Sequence, residues 1–277
     1  MRLHNGTIYF SMNIITFTSD FGTKDPYLGV WKGIILSQST AVNIIDISHD
    51  IAPANYMETA YVVNSCYHHY PKGTVHLVSV EEKDANSIRY LAMKKDGHFF
   101  IAPDNGILTL IRPEYRAEAI HEINIDASEA LQPGMLIMSK AAIYLSNDGA
   151  INVLGKPCVD PKEIKPRKPI YNESLHMLQG HIIFVDRRGN VVTNIDEEMF
   201  HAVRNDRHFS INLPARTQIT KITKSFREIH EEAVTFALFN HNGLLEIGVF
   251  GGSLLNSTGA THLLGLSLQD KITIEFS

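Results

Sequence analysis

A carboxylate that directly follows an apolar segment is the best placed group for chemistry in this sequence. Asp20 comes after NIITFT at 13–18, a run rich in β-branched residues that predicts a buried strand. Ligands of open α/β sheets bind at the carboxyl ends of strands, and a carboxylate there can accept two hydrogen bonds from a sugar diol. The structural alternative is that Asp20 only caps a turn with Gly22. Position alone leaves the two interpretations equally open.

Two further polar segments have the same ambiguity. Glu81 and Glu82 close the apolar segment TVHLVSV at 74–80, where a carboxylate can be catalytic but a charge run is more often a solvated turn. Asp186 and Asn190 belong to VDRRGNVVTNI, which predicts a hairpin turn and also offers polar side chains to a ligand.

Several familiar chemistries have no motif here. The sequence lacks a phosphate-binding GxxxxGK[ST], a dinucleotide-binding GxGxxG and a GxSxG nucleophile turn, and none of its 14 histidines stands in HExxH. Its 2 cysteines, Cys66 and Cys158, form no CxxC, so neither a disulfide framework nor a cysteine zinc site is indicated. We therefore expect no metal and no prosthetic group.

Charge and hydropathy exclude other classes of function. The net charge is -5, from 25 basic and 30 acidic residues, which disfavours non-specific binding to nucleic acid or to an anionic membrane. No apolar run approaches the ~20 residues of a membrane span, and MRLHNGTIYFSMNIITF has no long apolar signal region. These features predict a cytoplasmic protein that binds neither nucleic acid nor membrane.

The elements that position the candidate residues alternate over the first 80 residues. Strands are predicted at 13–18, 43–47 and 74–80. The first helix follows Asp25 as N-cap and Pro26 as first helical residue, and the second has the capping box of Asn55 and Glu58. This β-α-β-α-β order predicts an α/β domain with a mostly parallel sheet flanked by helices. A hairpin of 89–94 with 98–102, turning at Asp96 and Gly97, and a helix near 139–146 follow.

The second half of the chain has a different pattern. A proline-rich, charged stretch without periodicity predicts a linker, which divides the chain into domains at 12–160 and 178–277 with 161–177 between them. Short strands and the turn NHNG at 240–243 then predict a smaller C-terminal all-β, barrel-like domain. The predicted strands are 181–185, 190–195, 208–213, 218–223, 233–239, 244–250 and 271–276.

Five segments together resemble a known family. They are SDFGTKDPYLGVWKG, IDISHDIAP, IAPDNGILT, FVDRRGNVVTNI and NHNGLLEIGV, and they occur in collinear order. They are similar to those of the S-adenosylmethionine (SAM) hydroxide adenosyltransferases, relatives of the SAM-dependent chlorinases and fluorinases. The resemblance implies an N-terminal α/β domain, a C-terminal β domain and a homotrimer with the SAM site between subunits. SAM is then a substrate, and L-methionine and adenosine are products.

The resemblance also implies roles for individual residues. Asp20 grips the ribose 2′ and 3′ hydroxyls, and Asp25 and Asp186 stand near the methionine ammonium. Asn190 reaches the adenine, on which Phe226 stacks; without the family, core packing is the simpler interpretation of Phe226. The remaining substrate-binding positions implied by the motifs are Tyr27, Asn242 on the carboxylate side and Gly251 on the adenine side.

The reaction centre departs from the family pattern. Family hydrolases orient the attacking water with Asp and Arg of VDPGVGTxR and with His of FHGRD. In VSVEEKDANSIR, Glu81 stands at the Asp position and Ile88 at the Arg position, so that Arg89 is displaced by one residue. In QPGML, Pro133 replaces the His and Gly134 is retained.

We therefore predict Glu81, Arg89 and Gly134 as the catalytic set. Glu81 positions the nucleophilic water, Arg89 is its ion-pair partner if the loop shifts by one residue, and Gly134 supplies a backbone N–H. The reaction is displacement of methionine at the ribose C5′ by water or hydroxide. Chloride as the nucleophile, or a binding protein that has lost the reaction, are the alternatives.

Overall fold

The computed structural model describes residues 2–4, 7–9, 13–81, 89–111, 113, 116–214 and 217–277, with the backbone alone for 2–4 and 7–9. Contacts divide the chain into two compact units, Met1–Pro166 (unit 1) and Arg167–Ser277 (unit 2). Within the described residues, no helix has the length and apolar character needed to cross a membrane.

Unit 1 contains a two-stranded and a six-stranded sheet. The strands are β1 (Arg2–His4), β2 (Thr7–Tyr9), β3 (Asn13–Ser19), β4 (Val42–Ser48), β5 (Val75–Ser79), β6 (Tyr90–Lys95), β7 (His98–Pro103) and β8 (Ala119–Glu122). β1 pairs with β2, and the larger sheet has the order β4-β3-β5-β7-β6-β8. Its first four strands are parallel, whereas β6 runs antiparallel to both β7 and β8. The predicted mostly parallel sheet is confirmed.

Helices cover both faces of this sheet. They are α1 (Tyr27–Gln38), α2 (Tyr56–Cys66) and α3 (Pro133–Ser146). α1 and α3 share one apolar cluster, within which the buried Trp31 indole donates to the Ser139 hydroxyl over 2.9 Å. α2 contributes to a second cluster with β6 and β7. The alternation of side chains along the strands separates the two clusters onto opposite faces.

Local sequence signals explain where most helices of unit 1 begin, with one exception. Asn55 accepts a hydrogen bond from the Glu58 N–H over 3.1 Å, as the capping signal predicts. The expectation that Asp25 caps α1 was wrong. Pro26 itself occupies the cap position with helical backbone angles and no side-chain cap bond, which leaves Asp25 exposed and one residue too early.

Unit 2 is a barrel-like antiparallel sheet. Its strands are β9 (Ile170–Asn172), β10 (Met177–Val185), β11 (Val191–Asp196), β12 (Phe209–Asn212), β13 (Gln218–Ile219), β14 (Thr235–Phe239), β15 (Leu244–Val249) and β16 (Lys271–Phe276). The order is β13-β12-β16-β10-β11-β15-β14, and β9 pairs with β10. The sheet encloses an apolar cluster that includes Phe200, Ile247 and Ile274.

Three details of unit 2 were not predicted. α4 (Glu197–Arg204) and α5 (Ala260–Leu263) add helices to a domain expected to be all β, and β9 lies inside the segment expected to be a linker. β13 is also much shorter than the predicted strand at 218–223, because the chain leaves the register and Thr223 donates instead to the carbonyl of Ala237.

Candidate functional site

Asp20 lies at the carboxyl edge of the unit 1 sheet, where the strand order reverses. β3 is followed in the chain by β4 on one side and then by β5 on its other side. The crevice between β3 and β5 is therefore a topological switch point, the place where open α/β sheets bind ligands. Asp20 is the first residue after β3, and Val80 and Glu81 are the first residues after β5.

The Asp20 carboxylate joins the loops that follow three adjacent strands. Its Oδ2 accepts hydrogen bonds from the N–H of Ala54 over 3.0 Å and of Glu81 over 3.1 Å. Gly22, by contrast, donates its N–H to the carbonyl of His49 over 2.8 Å. The turn at Gly22 is therefore closed by a backbone hydrogen bond to His49, in the loop that follows β4. Asp20 does not cap this turn. Among the described residues, Oδ1 of Asp20 has no hydrogen-bond partner.

Sequence reasoning missed a polar array in which the buried Ser19, next to Asp20 in the chain, and the buried His49 are linked to the exposed Asp46. The Ser19 hydroxyl is 2.7 Å from His49 Nδ1, and His49 Nε2 is 3.1 Å from an Asp46 carboxylate oxygen. Burial by itself raises the pKa of Asp46, but hydrogen bonds from Lys32 and His49 outweigh burial and hold that pKa below its usual range. The sequence feature that could have revealed this array is the spacing of the polar residues in IDISHD, which contains the end of β4, the strand that pairs with β3.

The sequence predicted an ion pair between Arg89 and Glu81, but in the structure Arg89 pairs with two other carboxylates. Its Nε donates to Asp104 over 2.5 Å, and another guanidinium nitrogen donates to Asp160 over 3.0 Å. The Asp104 hydrogen bond, and then that of Asp160, raise the Arg89 pKa above its ordinary value. Asp104 is the first residue after β7 and is buried, so its charge requires a partner, which Arg89 supplies. Glu82 and Ile88 lie outside the described residues.

The motif IAPDNG contributes two contacts that sequence reasoning did not identify. Asn105 donates its side-chain N–H to the carbonyl of Val80 over 2.7 Å and so fixes the start of the Glu81 loop. Gly106 has a φ of +102°, and an added Cβ would lie 2.5 Å from the Ile164 side chain. Glycine is thus required where the 156–166 segment packs onto this loop.

Gly134 and Tyr27 both lie in the first turns of helices. Gly134 is buried and follows Pro133 at the start of α3, where backbone N–H groups have no acceptor within the helix. Tyr27 is 51% exposed, and its ring centroid is 6.1 Å from that of Phe21 in the β3 loop. Of the two, only Tyr27 has a contact to the loop that follows β3.

In unit 2, Asp186 and Asn190 form a tight hairpin turn between β10 and β11. Asp186 Oδ1 accepts from the N–H of both Arg188 and Asn190 over 2.8 Å. The Asn190 amide nitrogen donates to Asp186 Oδ2 and to Glu246 Oε1, each over 3.1 Å. The two carboxylates accept only, so they fix the orientation of the amide. The Asn190 oxygen is buried without a hydrogen-bond partner among the described residues.

Glu246 is a further polar residue of this network that the sequence did not reveal. It lies on β15 with 9% of its surface exposed. Burial, and then the nearby charge of Asp186, raise the pKa of Glu246, whereas hydrogen bonds from Asn190 and Asn240 act in the opposite direction. Its neighbour Gly248 leaves room for Asn190, since a Cβ there would lie 2.3 Å from the amide oxygen.

Strand pairing brings most of the predicted unit 2 residues to one end of β15. Asn190 faces Gly248, and the ring of Phe226 is 5.2 Å from that of Phe236, which pairs with Gly248. Phe226 is 47% exposed, so core packing does not account for it. Gly251 follows the same end of β15 with a φ of +77°. Asn242 is at the opposite end, in the turn between β14 and β15, where its N–H donates to Asn240.

No group of three or more His, Cys, Asp and Glu side chains in the described part of the chain could hold a metal ion. The polar groups in contact with Asp20 and Asn190 are carboxylates and backbone N–H groups. This donor set suits a ligand rich in hydroxyl and amino groups.

Comparison with known proteins relates both units to one family. Residues 15–155 match the model of the SAM hydroxide adenosyltransferase N-terminal domain, and residues 180–273 match that of the C-terminal domain. An (R)-S-adenosyl-L-methionine hydrolase of Methanocaldococcus jannaschii is 29% identical, over 95% of this chain and 96% of that protein. The hydrolase of the same name from Thermus thermophilus is 26% identical, over 90% of this chain and 96% of that protein.

The similarity also extends to a fluorinase and to a solved structure. The fluorinase of Actinoplanes sp. is 24% identical over 66% of this chain and 71% of that protein. The crystal structure of an uncharacterized conserved protein from Thermotoga maritima superposes with a TM-score of 0.81 at 27% identity. It covers 94% of this chain and 99% of that one.

Proposed function

Because this chain belongs to the SAM hydroxide adenosyltransferase family, we propose that it binds SAM and catalyses displacement of L-methionine at the ribose C5′. Water or hydroxide is the nucleophile, and adenosine is the second product. The observation that carries this proposal is Asp20, a carboxylate at the switch point of the sheet with one oxygen free of described partners. The two hydroxyl groups of a ribose diol can donate hydrogen bonds to this oxygen.

The chemistry asks little of the protein beyond alignment. The sulfonium is already a good leaving group, so the reaction needs in-line placement and partial dehydration of the nucleophile more than acid assistance. In the proposed site, the Glu81 carboxylate orients the water and the Gly134 N–H lies beside it. Arg89 is assigned a structural role, because it is already paired with Asp104 and Asp160.

We assign the remaining residues to substrate binding. On unit 2, Asn190 and the exposed Phe226 ring are assigned to the adenine, on which the ring stacks. Asp186 and Asp25 are both assigned to the methionine ammonium, whose positive charge their carboxylates attract. The other proposed contacts are those of Tyr27, Asn242 and Gly251.

We also propose that the active form is a homotrimer with sites formed between subunits. The exposed apolar side chains Tyr27 and Val30, both on α1, are a surface that such an assembly would bury. Light scattering at the assay concentration is expected to show a trimer, and an active monomer would contradict this proposal. A cytoplasmic location and the absence of nucleic-acid binding stay predictions from composition.

Product analysis tests the reaction itself. Purified protein is incubated with SAM, with and without chloride, and SAM, adenosine and 5′-chloro-5′-deoxyadenosine are separated by chromatography. We expect adenosine and methionine in equal amounts, with no effect of chloride. A chloride-dependent chlorinated nucleoside would establish the halogenase alternative, and SAM that binds but is recovered unchanged would establish a non-catalytic binding protein.

A further inference from the structure

Two residues beside Asp20 have a backbone conformation that is unusual for their type. Ala54 has a φ of +58° and Glu81 a φ of +53°, so both are in the left-handed region although neither is glycine. They lie on separate loops, one after β4 and one after β5. Both donate their N–H to the same oxygen, Oδ2 of Asp20, over 3.0 and 3.1 Å.

The shared hydrogen-bond acceptor explains why both residues keep this backbone conformation. Left-handed backbone is unfavourable for residues with a Cβ and persists only where the surroundings hold it. A hydrogen bond from each strained residue to a carboxylate is stronger than a neutral one. A carboxylate oxygen offers about two acceptor positions, and the two N–H groups occupy those of Oδ2.

We propose that Asp20 divides its two oxygens between two tasks. Oδ2 is a clamp that holds the left-handed turns at Ala54 and Glu81, and it thereby positions the Glu81 carboxylate. Oδ1 alone receives the ribose hydroxyls, a part that rests on the proposed function. Asp20 is thus a positioning residue for Glu81 as well as a substrate contact, and the clamp stays closed when ligand binds.

Asn and Ala at position 20 separate the two tasks. The amide of Asp20→Asn still has one oxygen, which can turn towards the two N–H donors, and its NH₂ group then takes the place of Oδ1. Asp20→Ala removes both acceptors and frees both turns. Asp126→Ala is the matched control, since Asp126 also accepts a backbone N–H, that of Ser128, and not that of Ala54 or Glu81.

Amide hydrogen exchange, measured residue by residue by NMR, tests the clamp without any ligand. We expect exchange of the Ala54 and Glu81 amides to be about 10-fold faster in Asp20→Ala and nearly unchanged in Asp20→Asn and Asp126→Ala. The Gly22 amide, which donates to His49, is the internal control and stays constant. Equal exchange of the Ala54 and Glu81 amides in wild type and Asp20→Ala would overturn the clamp.

Ligand binding and kinetics test the division of labour. Saturating adenosine is expected to leave the Ala54 and Glu81 amides protected, and their faster exchange would show that both Asp20 oxygens take the diol. Asp20→Asn should raise KM for SAM about 10-fold. It should lower kcat far less than Asp20→Ala does, whereas an equal loss of kcat in both variants would overturn the positioning role. Wild-type protein without turnover would reject the proposed reaction, but the exchange data would still decide the clamp.

Discussion

At the scale of single residues, substitution of Glu81 is the most direct test of the proposed hydrolysis. It follows β5 directly, and its loop is fixed by hydrogen bonds to Asp20 and, at Val80, to Asn105. A carboxylate on a backbone held in this way can orient water or accept its proton without a metal. We expect Glu81→Gln to lower turnover by roughly 10²–10⁴, with nearly unchanged affinity for SAM.

Steady-state kinetics together with calorimetric SAM binding would measure these two quantities separately. Glu173→Gln, at an exposed position in unit 2, is the control for a general effect of removing a carboxylate. Wild-type turnover in Glu81→Gln would show that Glu81 is only a solvated turn residue.

Phe226 is the second residue whose role can be measured alone. Its ring is 47% exposed and touches Phe236 edge to face, so little of the core depends on it. If it stacks on the adenine, Phe226→Ala should weaken adenosine binding by about 10- to 100-fold, the range of one aromatic contact with a base. Unfolding should hardly change. Leu263→Ala, which truncates another exposed apolar side chain of unit 2, should leave adenosine affinity intact.

At the scale of elements, an ion-pair network helps to hold the 156–166 segment, the last part of unit 1, onto the sheet. Arg89 precedes β6 and bonds Asp104 at the end of β7 and Asp160 in that segment. The Lys162 N–H donates to the other oxygen of Asp104 over 2.8 Å. The first residues of the predicted linker 161–177 are therefore packed against unit 1, through Lys162 and Ile164.

Arg89→Ala should consequently destabilise unit 1. The variant leaves the buried charge of Asp104 without its guanidinium, which is more damaging than losing both partners. We expect the Tm to fall by several degrees in Arg89→Ala and to recover in part in Arg89→Ala with Asp104→Asn. Thermal unfolding followed by circular dichroism measures both. A Tm unchanged by Arg89→Ala would show that the network adds nothing to stability.

At the scale of the whole molecule, a buried histidine pair should make stability depend on pH. His76 Nδ1 is 2.7 Å from the Thr16 hydroxyl, and His76 Nε2 is 3.2 Å from His98 Nδ1. Burial, and then the neighbouring His98, lower the pKa of His76 to about 3. Burial, with the charge of Lys72, lowers the pKa of His98 to about 4 despite the opposing Asp96.

Both imidazoles are therefore neutral in the folded protein over a range in which the unfolded chain takes up protons. The contribution of this pair to the free energy of unfolding should be constant above about pH 6.5, the ordinary histidine pKa, and should decrease as the pH falls from there towards 4. Urea unfolding between pH 4.5 and 7.5 measures the slope. His98→Gln should flatten it, whereas His241→Gln, at an exposed position, should not. The same slope in His98→Gln and wild type would remove the pair as its cause.

Local patterns in the sequence determined which elements form and where most of them begin. Apolar runs of β-branched residues predicted β3, β4 and β5, and the Asn55 signal placed the start of α2. Asp96 and Gly97, both with positive φ, turn the predicted β6–β7 hairpin. These features depend on neighbours within a few residues, so periodicity and turn chemistry suffice to predict them. The collinear motifs likewise indicated the family that the domain comparisons show.

Only the tertiary structure decided which distant polar groups meet. Asp20 contacts Ala54 and Glu81, which are 34 and 61 residues away in the chain, because parallel strands bring their carboxyl ends to one edge. Arg89 pairs with Asp104 and Asp160, not with the nearer Glu81 that sequence proximity suggested, since a buried carboxylate gains most from a cation. Sequence spacing does not encode such pairings, which are set by strand order and by the cost of leaving a buried charge unpaired.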